Sequence, residues 1–329
     1  MPHYNAFRIH NDQGKHSAGI EQLEVVEPEQ GEILIRTRYS SINYKDALAG
    51  TGRGKILHHF PLTGGIDSCG EVAQSNDPRF SEGDEVIVTG YGLSATDDGG
   101  YAEYLKVPAE WAVPMPEGLG PLESMALGTA GFTAALALHR MEANGQTPEM
   151  GPILITGASG GVGSLAVNIF DGEGYAVTAV SGKPQQHAWL EHLGASEVIT
   201  REQLQLGHHA LEKGVWGGIV DTVGGAMLSG LTRSVRPWGS IAAIGLAGGH
   251  ELNTTVMPFI LRGISLLGIN SADCPYSIRE EIWQRLATDL HPRHLEDIIG
   301  QVVTLEELPK IFEKMLNGET HGRTLVQTN

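Results

Sequence analysis

Hydrophobic and polar positions along this chain fall into two regimes. From Glu32 to Tyr39 they alternate, with Ile33, Ile35, Thr37 and Tyr39 on one side, which predicts a strand with one buried face. Glu85–Val88 is a second such segment after the turn Ser81-Glu82-Gly83-Asp84, and Gly99–Val107 reads as a further strand behind a glycine bend. Short strands punctuated by Gly and Pro predict a partly closed β-barrel for this first third. Near Pro121 the spacing turns helical, over Leu122–Leu127 and Gly131–Met141. From Ile153 strand and helix alternate. Strands are predicted at Ile153–Thr156, Ala176–Val180, Glu197–Ile199, Gly218–Asp221, Gly239–Ile244 and Ile264–Ile269, with helical stretches such as His187–Leu193 between them. That order predicts a doubly wound parallel sheet of six strands. Ile278–Leu290 and Leu305–Asn317 are helical again, and the closing strand Gly322–Gln327 has no partner unless it returns to the first domain. The expected organisation is a first domain over residues 1–124, a nucleotide-binding domain over 125–270 and a returning segment over 271–329.

The junction at 153–163 carries the chemistry. Ile153-Leu154-Ile155-Thr156 opens directly into Gly157, Ala158, Ser159, Gly160, Gly161, Val162 and Gly163, and Ser164–Phe170 starts a helix. In the order strand, glycine turn, helix, the backbone can approach a dinucleotide pyrophosphate, and the helix start offers free N–H groups. A sheet that binds NAD places an acid about 20 residues on, to grip the ribose 2′-hydroxyl. Here the second strand ends in Ser181-Gly182-Lys183, and the acid is missing. A hydroxyl and an ammonium suit a 2′-phosphate, with Arg201 as a second cation, so NADPH is the expected cofactor. The plain alternative makes Lys183 a solvated turn residue and Arg201 a surface charge.

Composition narrows the partners. Of 329 residues, 22 are Lys or Arg and 39 are Asp or Glu, a net charge of −17. Such a charge argues against nucleic acid and anionic membrane surfaces, which need clustered cations. Two cysteines, Cys69 and Cys274, are too few for a disulfide framework or a four-cysteine zinc site. Residues 1–10 lack a basic-then-apolar export pattern, so a cytoplasmic location is expected. The pairs His58-His59 and His208-His209 are read as surface residues, Cys69 as a small core residue and Cys274 as a loop thiol open to reagents.

Longer strings carry a resemblance. Ser41-Ile42-Asn43-Tyr44-Lys45-Asp46, Gly65-Ile66-Asp67, Gly128–Ala134 and Asp221-Thr222-Val223-Gly224 resemble the medium-chain dehydrogenase/reductase superfamily along essentially the whole chain. Asn43–Leu48 with Gly54-Lys55, and Thr255–Gly263, are similar to the acryloyl-CoA reductase branch of its quinone-oxidoreductase-like group. The resemblance implies a GroES-like catalytic barrel beside a Rossmann domain. Zinc alcohol dehydrogenases of the superfamily place a cysteine where Asn43 falls and a histidine where Ile66 falls. No metal is therefore expected, and the implied reaction is hydride delivery to an already activated carbon. The favoured reaction is NADPH-dependent reduction of a short α,β-unsaturated acyl-CoA, acryloyl-CoA to propanoyl-CoA. Quinone reduction is the second reading, and a non-catalytic NADPH-binding protein the third.

The same resemblance implies the site. Tyr44, at the domain cleft, is expected at the nicotinamide or pyrophosphate, with either a proton-donating or an orienting role. Asn43 is placed to donate to an enolate oxygen, and Asp46 is either a buried carboxylate fixing the loop or an acid catalyst. Leu246, Ile260, Ser271 and Arg323 are expected to line the cofactor groove, core packing being the alternative for Leu246 and Ile260. Arg53, Lys55 and Lys45 form a basic island expected to meet CoA phosphates, or else a solvated loop. A homodimer is implied through the sixth strand, Gly263–Ile269.

Overall fold

The computed structural model describes residues 3–328, which divide into two compact units. One takes the chain through Thr129 and adds Ala272–Ala287 and the described residues from Leu295 onward. The other holds Ala130–Ser271 and Thr288–His294.

In the first unit, β1 (His3–Asp12) and β2 (Lys15–Glu24) form an antiparallel hairpin turned at Gln13-Gly14. β3 (Glu32–Ser41) buries Ile33, Ile35 and Thr37 and leaves Arg36 exposed, while Leu34 on the other side is also buried. After it come α1 (Tyr44–Thr51), β4 (Leu62–Thr63), β5 (Asp67–Ser75), β6 (Glu85–Thr89), β7 (Tyr104–Pro108) and β8 (Val113–Pro114). β2, β1 and β4 make a small sheet. The larger mixed sheet runs through β3, β5, β6 and β8, with β7 also paired to β3. Ile33, Ile35, Val72, Val86, Val88, Leu105 and Val107 fill its interior.

Two expectations here are corrected. The segment from Asn43 to Asp46 is not a loop but the start of α1, because the Asp46 carboxylate accepts the Asn43 backbone N–H at 2.8 Å and closes the first turn. The strand expected over Gly99–Val107 begins only at Tyr104. Gly99, Gly100 and Tyr101 instead donate their N–H groups to Thr63, Gly65 and Gly64, so that stretch is tied to the β4–β5 connection.

α2 (Pro121–Ala143) joins the two predicted helical stretches and breaks its helical geometry at Gly128, with φ 49° and ψ −154°. In the second unit, β9 (Ile153–Ile155), α3 (Gly161–Gly172), β10 (Val177–Val180), α4 (His187–His192), β11 (Ala195–Ile199), β12 (Gly218–Asp221), α5 (Gly225–Leu231), β13 (Ser240–Ala243), α6 (Met257–Arg262) and β14 (Ser265–Gly268) follow in order. The strands lie β11-β10-β9-β12-β13-β14, all parallel. This is the predicted doubly wound sheet, with its order reversing between β9 and β12, where such sheets bind ligands at the carboxyl ends of their strands.

The chain then returns to the first unit as α7 (Tyr276–Ala287), α8 (Leu295–Ile298), β15 (Ile299–Val303), α9 (Leu308–Leu316) and β16 (Arg323–Gln327). β16 pairs antiparallel with β3 and parallel with β15, and α9 packs Ile311 and Phe312 in one core with Phe7 and Tyr101. The helix expected over Ile278–Leu290 stops at Ala287, and Thr288–His294 packs into the second unit with Leu290 buried. Among the described residues no helix is long and apolar enough to cross a membrane.

Candidate active site

The glycine turn has the geometry of a phosphate cradle. Gly157 has φ +60°, and a Cβ there would lie 2.3 Å from the Thr222 hydroxyl. Gly160 caps α3, whose first residues are Gly161, Val162 and Gly163. Their N–H groups precede the first intrahelical bond, and they carry the positive end of the helix dipole. At Gly163 a Cβ would stand 2.3 Å from the Gly157 carbonyl oxygen, so helix and turn touch backbone to backbone. Asp221, buried at the end of β12, accepts from the Thr156 hydroxyl and the Gly224 N–H, each at 2.7 Å, and ties the two central strands together.

Beside this turn lies a pocket of about 190 Å³ lined by Gly157, Ser159, Val180, Ser181, Gly182, Lys183 and Arg201. Burial lowers the pKa of the Lys183 ammonium from its usual value, and the neighbouring Arg201 cation lowers it further. Two cations therefore face one small pocket with two buried serine hydroxyls, Ser159 and Ser181, 3.5 Å apart. An anion that entered would relieve that repulsion. The structure thus brings Gly157 and Ser159 of the predicted turn together with both predicted cations, and nothing acidic lines the pocket.

The second assembly is in the first unit and is built on buried charge. Asp67 opens β5 fully buried. It accepts from the Ser41 hydroxyl, from Asn43 Nδ2 at 2.8 Å and from the Thr129 N–H at 3.1 Å, and the Thr129 hydroxyl adds a further bond. The Arg323 guanidinium lies 3.8 Å away and donates to the Ser41 hydroxyl, to Asn43 Oδ1 and to the carbonyls of Ile42 and Ala126. Burial lowers the Arg323 pKa from its usual value, while Asp67 and Asp46 oppose that shift. This corrects the expectation for Arg323: its side chain is 2% exposed and spent inside the protein, so it does not line a cofactor groove. Gly128 is required here, since a Cβ would lie 2.7 Å from Asp67 Oδ2 and 2.9 Å from Arg323 Nη2.

Asn43 is the hinge of this assembly. Its side chain is oriented from both ends, by Asp67 on Nδ2 and by Arg323 on Oδ1, and the Asp46 carboxylate is a further side-chain partner. Asp46, fully buried, also accepts the Ile66 N–H at 3.0 Å, and burial plus the Asp67 charge push its carboxyl up to about 7. Tyr44, next to Asn43, is 47% exposed, and its hydroxyl makes no hydrogen bond among the described residues. Asp67 and Ser41 have no role in the sequence-based expectations, where they lie only inside the strings that carry the resemblance. The signal was a carboxylate set in the otherwise uncharged run Gly64–Gly70.

The remaining candidates separate. Leu246 (67% exposed) and Ile260 (73%) are surface residues, which excludes core packing for both. Ser271 is half-buried beyond β14. Lys55 is exposed and Lys45 half-buried, and the exposed Arg53 guanidinium pairs with the Glu313 carboxylate of α9 at 2.8 and 3.0 Å. Cys69 is buried, as expected. Cys274 is buried too, at 4% exposure, which corrects its reading as a reagent-accessible thiol. Both histidine pairs are exposed.

A two-unit oxidoreductase with a nucleotide-binding sheet is the class that this fold and these sites define. Residues 29–117 match the family model of the alcohol dehydrogenase GroES-like domain, and residues 161–288 that of the zinc-binding dehydrogenases. The chain is 49% identical over 301 residues to a putative quinone oxidoreductase, YhfP, of Bacillus subtilis (strain 168), covering 91% of each. It is 44% identical over 324 residues to a probable acrylyl-CoA reductase, AcuI, of Escherichia coli (strain K12), covering 98% of this chain and 99% of that one. The crystal structure of the YhdH oxidoreductase from Salmonella enterica in complex with NADP matches with a TM-score of 0.95 at 42% identity, covering 99% of this chain and all of that one. The YhfP crystal structure, with NAD bound, matches with the same score. The chain belongs to the medium-chain dehydrogenase/reductase superfamily, among its quinone-oxidoreductase-like and acrylyl-CoA-reductase-like members.

The name of the second family model raises zinc, and the donor set does not fit it. At the two positions that carry ligands in the zinc alcohol dehydrogenases, Ile66 has no donor atom, and the Asn43 amide is already bound to Asp67 and Arg323.

Removing Arg323 alone should strand the Asp67 charge. Arg323→Met is expected to cost about 3–5 kcal/mol in urea unfolding, with part recovered in the double variant Arg323→Met/Asp67→Asn. A single variant within about 1 kcal/mol of the parent, an effect no larger than that of an exposed ion pair, would contradict the assignment of this pair as a structural knot.

Proposed function

We propose that this protein reduces the carbon–carbon double bond of a short α,β-unsaturated acyl-CoA with NADPH and without zinc, acryloyl-CoA to propanoyl-CoA being the favoured reaction. The observation that carries the cofactor half is the pocket in which Lys183 and Arg201 stand beside the glycine turn in place of the acid that grips a ribose hydroxyl. Those two cations and the hydroxyls of Ser159 and Ser181 would hold the 2′-phosphate of NADPH, and the N–H groups at the start of α3 would hold its pyrophosphate. Support for the substrate half comes from the relative named as an acrylyl-CoA reductase, which aligns along nearly the whole chain.

When bound, NADPH supplies a hydride to the β-carbon of the thioester. The chain's own residues handle the charge that this creates. The Asn43 amide donates to the thioester oxygen as it becomes an enolate, exchanging its Asp46 contact for the substrate, and Arg323 on Asn43 Oδ1 polarises that amide toward donation. Tyr44 orients the reacting groups, water delivers the proton to the α-carbon, and Lys45 and Lys55 offer charge to CoA phosphates. Leu246, Ile260 and Ser271 contribute further cofactor contacts.

Quinone reduction is the second reading, favoured by the relative named as a putative quinone oxidoreductase. One steady-state experiment separates the two. The parent and Lys183→Ala are assayed for NADPH and NADH oxidation with acryloyl-CoA and with a benzoquinone. The expected result is faster turnover of acryloyl-CoA, and a rise of about tenfold or more in the KM for NADPH in the variant with that for NADH little changed, the size expected for losing one charge-assisted phosphate contact. Faster quinone turnover would overturn the substrate, and equal losses for both nucleotides would overturn the cofactor.

The protein is further proposed to be a homodimer. β14 is the last strand of the six-stranded sheet, and the same unit exposes Trp238, Val256, Ile260 and Leu261. Light scattering is expected to return twice the chain mass, and a monomer at micromolar concentration would contradict it.

A further inference from the structure

Two buried carboxylates hold Asn43. Asp67 takes its side chain, and Asp46 takes its backbone N–H and reaches its side chain as well. Asp46 binds the Ile66 N–H through its other oxygen, and Ile66 immediately precedes Asp67. The two acids therefore face each other across one short path, from the first turn of α1 to the first residue of β5. Tyr44, the first residue of α1, sits where the grip on Asn43 is set.

We propose that Asp46 is a positioning residue for the reaction, acting through Asn43 to set the start of α1 that carries Tyr44, and that its opposition to Asp67 makes this setting respond to pH. The inference rests on the roles given above to Asn43 and Tyr44. The groups that face Asp46 are Asp67 from β5, Tyr101 from the segment before β7 and Arg323 from β16. Asp67 already takes the Asn43 amide, the hydroxyls of Ser41 and Thr129 and the nearest guanidinium nitrogen of Arg323. Asp46 has the N–H groups of Asn43 and Ile66, the Asn43 side chain and the Tyr101 hydroxyl as partners, but burial and the Asp67 charge outweigh them. Burial and Asp67 accordingly push the Asp46 carboxyl up to about 7, so it holds a proton through the mildly acid range. As pH rises through neutrality, Asp46 ionises beside Asp67, and the start of α1 loosens.

The sign for stability follows from proton binding. Between the unfolded value of about 4 and the folded value of about 7, the folded state binds a proton that the unfolded chain has released. The contribution of Asp46 to stability thus falls as pH rises through that window and is level above it.

The test compares the parent, Asp46→Asn and Asp46→Glu, with kcat for NADPH oxidation and melting temperature both followed from pH 5.5 to 9. The parent is expected to lose kcat as pH rises through about 7. In Asp46→Asn kcat should fall about tenfold or more, lose that limb, and leave the KM for NADPH unchanged, while its melting temperature relative to the parent rises with pH. Asp46→Glu should keep a limb but move its midpoint. If Asp46→Asn fails to fold, an unmoved midpoint in Asp46→Glu overturns the proposal. So does a variant that keeps both kcat and limb and only melts lower, because Asp46 is then structural alone. Absence of turnover in the parent would overturn the functional reading and the positioning role together, whereas a pH-independent melting difference overturns the titration of Asp46 by itself.

Discussion

The first unit depends on one buried charge pair, Asp67 with Arg323. Asp67 is fully buried and Arg323 nearly so, with Ser41 and Asn43 hydrogen-bonded to both. Taking both charges out of water costs several kcal/mol per ion, and that cost is tolerated only where every lone pair and proton finds a partner. Here the partners come from β3, the turn into α1, β5, α2 and β16, so satisfying one pair fixes five elements at once. The bend at Gly128 belongs to the same constraint. α2 must break its helical geometry where it passes the pair, and no side chain fits in the gap.

For the proposed reaction, the knot supplies a fixed amide donor at the thioester oxygen. In this chain the position that carries a zinc ligand in its zinc-dependent cousins holds an amide, clamped between a carboxylate and a guanidinium. A clamped amide costs little reorganisation when charge develops on its acceptor, which is the property that electrostatic stabilisation of a transition state requires. The second unit solves a related problem by other means. The chain carries 17 net negative charges, yet the pocket beside its glycine turn is lined by Lys183 and Arg201 with no acid among the lining residues. Local geometry there outweighs the global field, which solvent screens within about 10 Å.

The parts of this arrangement legible in the sequence are those that depend on local pattern. All six strands of the parallel sheet appear within about two residues of their predicted ends, because buried parallel strands read as short aliphatic runs between helical spacings. The glycine turn and the missing acid were equally local, and they led directly to Lys183 and Arg201. The knot was not legible, because Ser41, Asn43, Asp67, Thr129 and Arg323 are scattered over most of the chain and only the fold gathers them. Arg323 therefore read as a cofactor contact and Arg53 as part of a basic island, while each has a carboxylate partner far away in sequence, in Asp67 and Glu313. α1 escaped because its eight residues show little periodicity, and its stop signal, Gly52, lies among other glycines. The β1–β2 hairpin escaped because β2 is largely exposed and gives no alternation to read.

The central claim is direct hydride transfer to carbon, with the charge absorbed by the substrate and a fixed amide. NADPH carrying deuterium at the transferring position of C4, mixed with acryloyl-CoA and the protein in ordinary water, tests it in one NMR spectrum of the product. The account predicts propanoyl-CoA with one deuterium on the β-carbon and none on the α-carbon, whose new hydrogen comes from solvent. Deuterium on the α-carbon, or nucleotide oxidised with no deuterium in the thioester, would contradict it.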